Sequence, residues 1–298
     1  MLYTLPPAGP APVLNFIEQA QGWLEINVYY LSDHQILRAI QGSVARGLPV
    51  FVIIDAAPYG MSQRQIAREI SELQSTGAKI KFAPAEFTRE GVYDHAKYAV
   101  SANAALIGTA NWSRSAFHKN REDLVVTNNQ ADIASLHHIF LADWQAQPAF
   151  TKGWSPAPDL VISPGSQGQI LALINQPGPI EIETEELGDD PALLQALAAK
   201  GEEARLIFPD SLSPDDQQRA SFLAADGVQI RLLPHQPLYL HTKMIIGNQT
   251  GFIGSQNFTA PSLQTNREIG IILHDAAAKA ALLVQFNQDW QQAGAGSH

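Results

Sequence analysis

Cysteine is absent from the 298 residues. Disulfides, thiolate metal sites and a cysteine nucleophile are thereby excluded. No apolar run approaches the ~18–20 residues a helix needs to cross a bilayer, so no integral membrane segment is expected. Positive charge is scarce too: 19 Lys and Arg stand against 29 Asp and Glu, a net of −10. A chain this acidic is not built around a broad phosphate-gripping surface, although a local basic groove can survive inside an acidic whole. The deficit is uneven. Residues 1–149 carry a net of −2 and residues 150–298 a net of −8, with six acids crowded into Glu181–Asp190. Hydrophobic residues make up 45% of the chain, which supplies a sizeable core and excludes wholesale disorder. The start, MLYTLPPAGPAP, has no basic region followed by an apolar one. Either there is no signal peptide or it was removed before this numbering begins.

What the sequence does contain is a duplication. HAKYAVSANAALIGTANWSRSAFHKNRE (95–122) and HTKMIIGNQTGFIGSQNFTAPSLQTNRE (241–268) align without gaps at an offset of 146 residues. His95 falls on His241, Lys97 on Lys243, Gly108 on Gly254, Asn111 on Asn257 and Glu122 on Glu268. Asp143-Trp144 falls on Asp289-Trp290. Upstream the offset drifts, and 31–47 loosely matches 187–201. The shared pattern is H-x-K-x10-G-[ST]-x-N-x10-E. At residue frequencies of roughly 5%, chance recurrence of six fixed positions is negligible.

Each half reads as alternating strands and helices. Trp23–Tyr30 alternates like a half-buried strand, 33–47 has helical spacing, and VFVIID (50–55) is a short β-branched strand. Ser62-x-x-Gln65 is a capping box opening a helix to about 76. Strands near 78–83, 95–101, 104–108 and 122–127 precede a helix over 130–145, and the second half repeats the order. An α/β fold of two lobes with mixed or parallel sheets is expected, divided as 1–150 and 151–298. The Pro-, Gly- and Ser-rich stretch 147–166 reads as the connection.

The repeated residues point to phosphate. Residues i and i+2 of a strand share a face, so His95 projects with Lys97 and His241 with Lys243. No third metal ligand stands at suitable spacing and a lysine repels a cation, so neither a metal nor another cofactor is expected. A tetrahedral anion suits the pairs better. Lys97 and Lys243 offer point charges, Asn111 and Asn257 amide donors, and Thr109 and Ser255 hydroxyls after tight glycine turns. Glu122 and Glu268 are suited to orient an imidazole by accepting from one ring nitrogen. Two halves packed about a pseudo-two-fold axis bring both histidines to one cleft. One neutral imidazole then attacks phosphorus while the other, protonated, donates to the leaving oxygen.

At these residues the sequence resembles the phospholipase D superfamily, whose hallmark is two H-x-K-x4-D motifs each followed by G-[ST]-x-N. The resemblance covers nearly the whole chain and is strongest to compact two-motif bacterial members, whose second half often begins with an SPG segment, here Ser163-Pro164-Gly165. It implies a pseudo-symmetric pair of αβ lobes, one active site at their interface, a phosphohistidine intermediate, and a monomer. It implies His95 as nucleophile, His241 as general acid and then base, and Lys97, Lys243, Asn111 and Asn257 as phosphate ligands. The motif aspartate is missing: Ala102 and Asn248 stand in its place.

The expectation is a metal-independent phosphodiesterase. The acidic balance tilts the substrate toward phospholipid, by hydrolysis or head-group transfer. A nuclease of the same superfamily cutting DNA or RNA is the alternative, and a non-catalytic phosphate- or lipid-binding module the rival from another class. Compact relatives are often exported, which implies a secreted or periplasmic setting. Trp112 and Phe258 are expected to pack under their loops, and Phe87, Tyr239 and Leu240 either to touch substrate or to pack. His118, His137, His138, His235 and His274 lack the motif context. The acidic run 181–190 reads as a strand leading into a helix start.

Overall fold

The computed structural model describes residues 1–295. Local chemistry sets the helix ends: the Asp33 carboxylate accepts from the N–H groups of Gln35 and Ile36, and Ser62 with Gln65 forms the full capping box. The first half runs β1 (Leu2–Leu5), α1 (Ala11–Gln19), β2 (Leu24–Val28), α2 (His34–Ala45), β3 (Val50–Ile54), α3 (Gln63–Gln74) and β4 (Lys79–Phe82). It continues with β5 (Lys97–Ser101), β6 (Ala105–Gly108), α4 (Arg114–Lys119), β7 (Asn120–Thr127) and α5 (Gln130–Gln145). The second half opens with β8 (Leu160–Ser163), α6 (Gln167–Ile174), β9 (Ile180–Glu183), α7 (Pro191–Lys200), β10 (Ala204–Pro209), α8 (Pro214–Ala225) and β11 (Gln229–Leu233). It closes with β12 (Tyr239–Leu240), β13 (Met244–Gly247), β14 (Gly251–Gly254), α9 (Ala260–Gln264), β15 (Glu268–Leu273), α10 (Ala276–Gln292) and β16 (Gly294–Ala295).

The two sheets share one topology. The first is ordered β1-β7-β6-β5-β2-β3-β4, and the second β8-β15-β14-β13-β9-β10-β11 with β16 added at its edge. In each, a parallel trio (β2-β3-β4, β9-β10-β11) joins an antiparallel run. The fold is thus a mixed α/β structure of two pseudo-symmetric lobes. One apolar core packs helices α1 and α2 on the first sheet, and its counterpart packs α6, α7 and α8 on the second. A third lies between the sheets and takes in α5 and α10 from both halves. Burying these inner faces together stabilises the pairing of the lobes.

Two departures from the sequence pattern stand out. LVIS (160–163), which its Pro- and Gly-rich setting assigns to the connection, is strand β8, paired with β15. Three β-branched or apolar residues in a row outweigh the breakers on either side. The proline-rich start forms β1 and α1, and Pro10 and Pro12 sit at the helix entry, where a missing N–H costs nothing.

The motif glycines are required by close approach. A Cβ on Gly108 would lie 2.3 Å from Leu124 Cδ2 and 2.7 Å from the Asp123 carbonyl. On Gly254 it would lie 2.7 Å from the Cα of Gly270. Trp112 and Phe258 are fully buried and fill the core beneath their loops.

The halves are tied by a swapped pair of buried ion pairs. Arg121 on β7 makes a bidentate contact with Asp289 on α10, at 2.7 Å for both bonds. Its counterpart Arg267 on β15 does the same with Asp143 on α5, at 2.9 and 2.8 Å. The remaining guanidinium nitrogens reach the carbonyls of Leu5 and Ser163 at 3.0 and 2.9 Å, the ends of β1 and β8. Removing one partner leaves a buried charge uncompensated. Asp143→Ala is expected to cost about 3–5 kcal/mol by urea unfolding, and Asp143→Leu combined with Arg267→Met to recover most of it.

Candidate active site

The backbone brings the two histidines together by the same swap. β12 pairs in parallel with β7, so the N–H of His241 donates to the carbonyl of Arg121 at 3.2 Å. In the other half Asp94 bridges Arg267, and the N–H of His95 donates to the carbonyl of Arg267 at 2.9 Å. Each histidine is therefore anchored on the opposite lobe. His95, His241, Asn111 and Asn257 line one pocket of about 560 Å³.

The carboxylates cross in the same way. His95 Nδ1 meets Glu268 at 3.0 Å, and His241 Nδ1 meets Glu122 at 2.9 Å. With Nδ1–H donating to a carboxylate, Nε2 is the ring nitrogen left for the pocket. Both glutamates are fully buried. Glu122 also accepts from Thr109 (2.6 Å) and Asn120 (3.1 Å), and Glu268 from Ser262 (2.6 Å) and Asn266 (3.2 Å). Burial alone would raise these carboxyls. The facing histidine, the neighbouring lysine and the hydroxyl of Thr109 or Ser262 together outweigh it, and hold both below the usual glutamate range.

Lys97 and Lys243 are fully buried beneath the pocket, and each Nζ donates to the carbonyl of its own motif histidine. Their surroundings differ. Lys97 sits over the Tyr29 ring, 5.1 Å from its centre, and burial pushes its ammonium down to about 7. Lys243 is ion-paired with Glu185 at 2.8 Å. Burial, then the Lys97 charge, pushes the His95 imidazole below its ordinary value, so the ring is neutral at neutral pH. Asn111 and Asn257 line the pocket and each bury an Oδ1 without a protein partner, and only their Nδ2 groups can donate to an anion's oxygens.

Thr109 and Ser255 do not face the pocket as their motif positions suggested. Both are fully buried. Thr109 bonds Glu122 and the Asp123 N–H, and Ser255 bonds the carbonyl and N–H of Ile269 at 3.3 and 3.0 Å. The hydroxyls bind the neighbouring strand, and Thr109 also steadies the glutamate that orients His241. Ala102 and Asn248 occupy the β5–β6 and β13–β14 turns, roughly 16 Å along the strand from the lysines. The missing motif aspartates are therefore remote from the pocket. Phe87 packs under the Arg267 guanidinium and Leu240 is buried, while Tyr239 donates to Glu185 at 2.8 Å. His137 and His138 bond Glu25 and the Ala149 carbonyl, and neither lines the pocket.

Among the pocket residues outside the duplicated motif, two lie against the histidines: Tyr29, whose ring meets His95 edge-on at 4.8 Å, and Glu185, 3.4 Å from His241 Nε2. The match of 31–47 to 187–201 held the signal for both. Extended upstream, its offset of 156 sets Tyr29 against Glu185.

The sequence matches the family described as "Cardiolipin synthase, PLD-like domain" over residues 13–144 and 180–290. It is 33% identical over 109 residues to human 5'-3' exonuclease PLD3, covering 35% of this chain and 22% of that protein. It is 28% identical over 134 residues to the mitochondrial cardiolipin hydrolase of Xenopus tropicalis, covering 45% of this chain and 60% of that one. The chain thus spans less than two thirds of the curated relatives it matches. Among solved structures, the phosphatidylserine synthase of Haemophilus influenzae superposes with a TM-score of 0.70 at 15% identity, over 98% of this chain and 85% of that one. That likeness bears on the fold. With the family accounting for both duplicated segments and most of the sequence between them, the chain belongs to the phospholipase D superfamily, in the PLD-like family of cardiolipin synthase type.

Proposed function

We propose that the chain is a metal-independent phosphodiesterase working through a phosphohistidine, with phospholipid as the substrate class. The observation that carries this reading is the crossed pair of His–Glu contacts over two buried lysines at one pocket. Neutral His95 attacks phosphorus through Nε2, and the P–O bond to the leaving group breaks. His241 gives its Nε2 proton to the leaving oxygen. Water, or an alcohol in head-group transfer, then attacks phosphorus, and the P–N bond to His95 breaks. His241 takes the proton back and His95 is released. Lys97, Lys243, Asn111 and Asn257 stabilise the equatorial oxygens, and Glu268 and Glu122 hold the ring tautomers.

Two things favour lipid: the net charge of −10, which suits a polyanion poorly, and a family and relatives named for cardiolipin. The likeness to an exonuclease favours nucleic acid as the second reading. No helix among the described residues is long and apolar enough to cross a membrane.

Assays with cardiolipin or phosphatidylcholine vesicles and with single-stranded DNA, all in EDTA, test both readings. Turnover on vesicles is expected to resist EDTA and to fall on the order of 10³-fold or more in His95→Ala. Acid quenching should trap phosphate on His95. A site that labels with no diester is a binding module. The pH profile follows from the shifts above. The attacking form of His95 persists below the ordinary imidazole value of 6.5, so the acid limb of kcat/KM lies below it. Lys97 loses its charge as pH rises through about 7, so kcat/KM falls there. Bound phosphate stabilises that charge and moves the limb of kcat to higher pH.

A further inference from the structure

The two halves present the pocket with different faces. The strand registers set Asn27 opposite Tyr98 and Glu183 opposite Met244, so Tyr29 and Glu185, two residues on, hold equivalent positions. In the first half that position is an aromatic ring, and Lys97 forms no ion pair with a carboxylate among the described residues. In the second it is a carboxylate. One oxygen of Glu185 lies 2.8 Å from Lys243 Nζ and 3.4 Å from His241 Nε2, and the other accepts from the Tyr239 hydroxyl at 2.8 Å. Lys243 Nζ and His241 Nε2 are the two groups that the reaction assigns to a phosphoryl oxygen and to the leaving oxygen.

We propose that Glu185 sets which phosphates the site accepts. Its carboxylate holds the phosphoryl-oxygen seat on Lys243, so that monoanionic phosphodiesters are admitted in preference to dianionic monoesters. The proposal rests on the phosphodiesterase reading and deepens it. Any phosphate reaching Lys243 must displace this carboxylate or lie against it, and the repulsion grows with each charge the phosphate carries. Burial would raise the Glu185 carboxyl. His241 and then Lys243 outweigh it and hold the group well below the usual range, so it stays charged across the working pH. Hydrolysis of a diester leaves a monoester, whose second ionisation lies near pH 6. Glu185 would thus spare the substrate and expel the product. The same discrimination serves a lipid or a nucleic-acid diester.

Methyl phosphate and dimethyl phosphate form a matched pair of probes, dianionic and monoanionic at about pH 7. Calorimetric titration of the full chain with each, in the wild type, Glu185→Gln and Glu185→Ala, tests the proposal without turnover. Both variants are expected to tighten methyl phosphate on the order of tenfold, the effect of one nearby charge in a partly solvated site. They are expected to tighten dimethyl phosphate by a smaller factor, eroding the wild-type preference. Unchanged or weaker methyl phosphate binding in both variants, with dimethyl phosphate still bound, overturns the role of Glu185 and leaves it as a support for Lys243. If neither ligand binds any of the three proteins, the phosphate site itself fails and this proposal with it.

Discussion

Each half of this protein finishes the other's histidine. Glu268 belongs to the second lobe and orients His95 of the first; Glu122 belongs to the first and orients His241 of the second. The backbone repeats the exchange, with the N–H of each histidine bonded to the carbonyl of the arginine one residue before the opposite glutamate. Those arginines then run their side chains to aspartates on the far helix. Pulled apart, the lobes would expose four buried carboxylates, two buried guanidinium groups and the apolar layer between the sheets. Each of these groups is costly to leave unpaired out of water. The interface and the site are therefore one construction.

Upon that near-symmetric frame the chemistry is uneven. His95 sits against Tyr29 with a neighbouring lysine whose charge is only just retained near neutrality. His241 is faced by carboxylates at both ring nitrogens, Glu122 at Nδ1 and Glu185 at Nε2. A free, uncharged nitrogen suits a nucleophile, and a nitrogen that already faces an acceptor suits a proton donor. Duplication supplies two copies of one device, and one difference just beyond the ends of β2 and β9, Tyr29 against Glu185, gives the two histidines unlike surroundings. Net charge says little about this. Two buried lysines set positive charge beneath the pocket in a chain of −10, and part of that acidity, at Glu185, lies against one of them.

Much of this was legible in the sequence because duplication converts spacing into testimony. The residues 146 apart named both His-Lys pairs, both asparagines and both glutamates, and periodicity placed the strands and helices that carry them. The crossing of the glutamates was not legible, since an alignment of two halves says which residues are equivalent and nothing about which half each one touches. Thr109 and Ser255 misled because a hydroxyl in a phosphate motif looks like a ligand. Only the approach of the neighbouring strand, close enough to require Gly108 and Gly254, shows why these hydroxyls bond that strand. Glu185 was hidden in an acidic run whose bulk does serve a strand and a helix cap, as expected for Glu181 and Asp190. β8 was masked by the prolines and glycines around it.

The crossing itself is the claim on which the rest depends, and it is open to direct observation in the intact chain. Long-range proton–nitrogen NMR of the histidine rings reports the tautomer and environment of His95 and His241 separately. Glu268→Gln is expected to shift the His95 ring nitrogens and leave those of His241 in place, and Glu122→Gln to do the reverse. A response of each histidine to the glutamate of its own half, or of neither to either, would contradict the account.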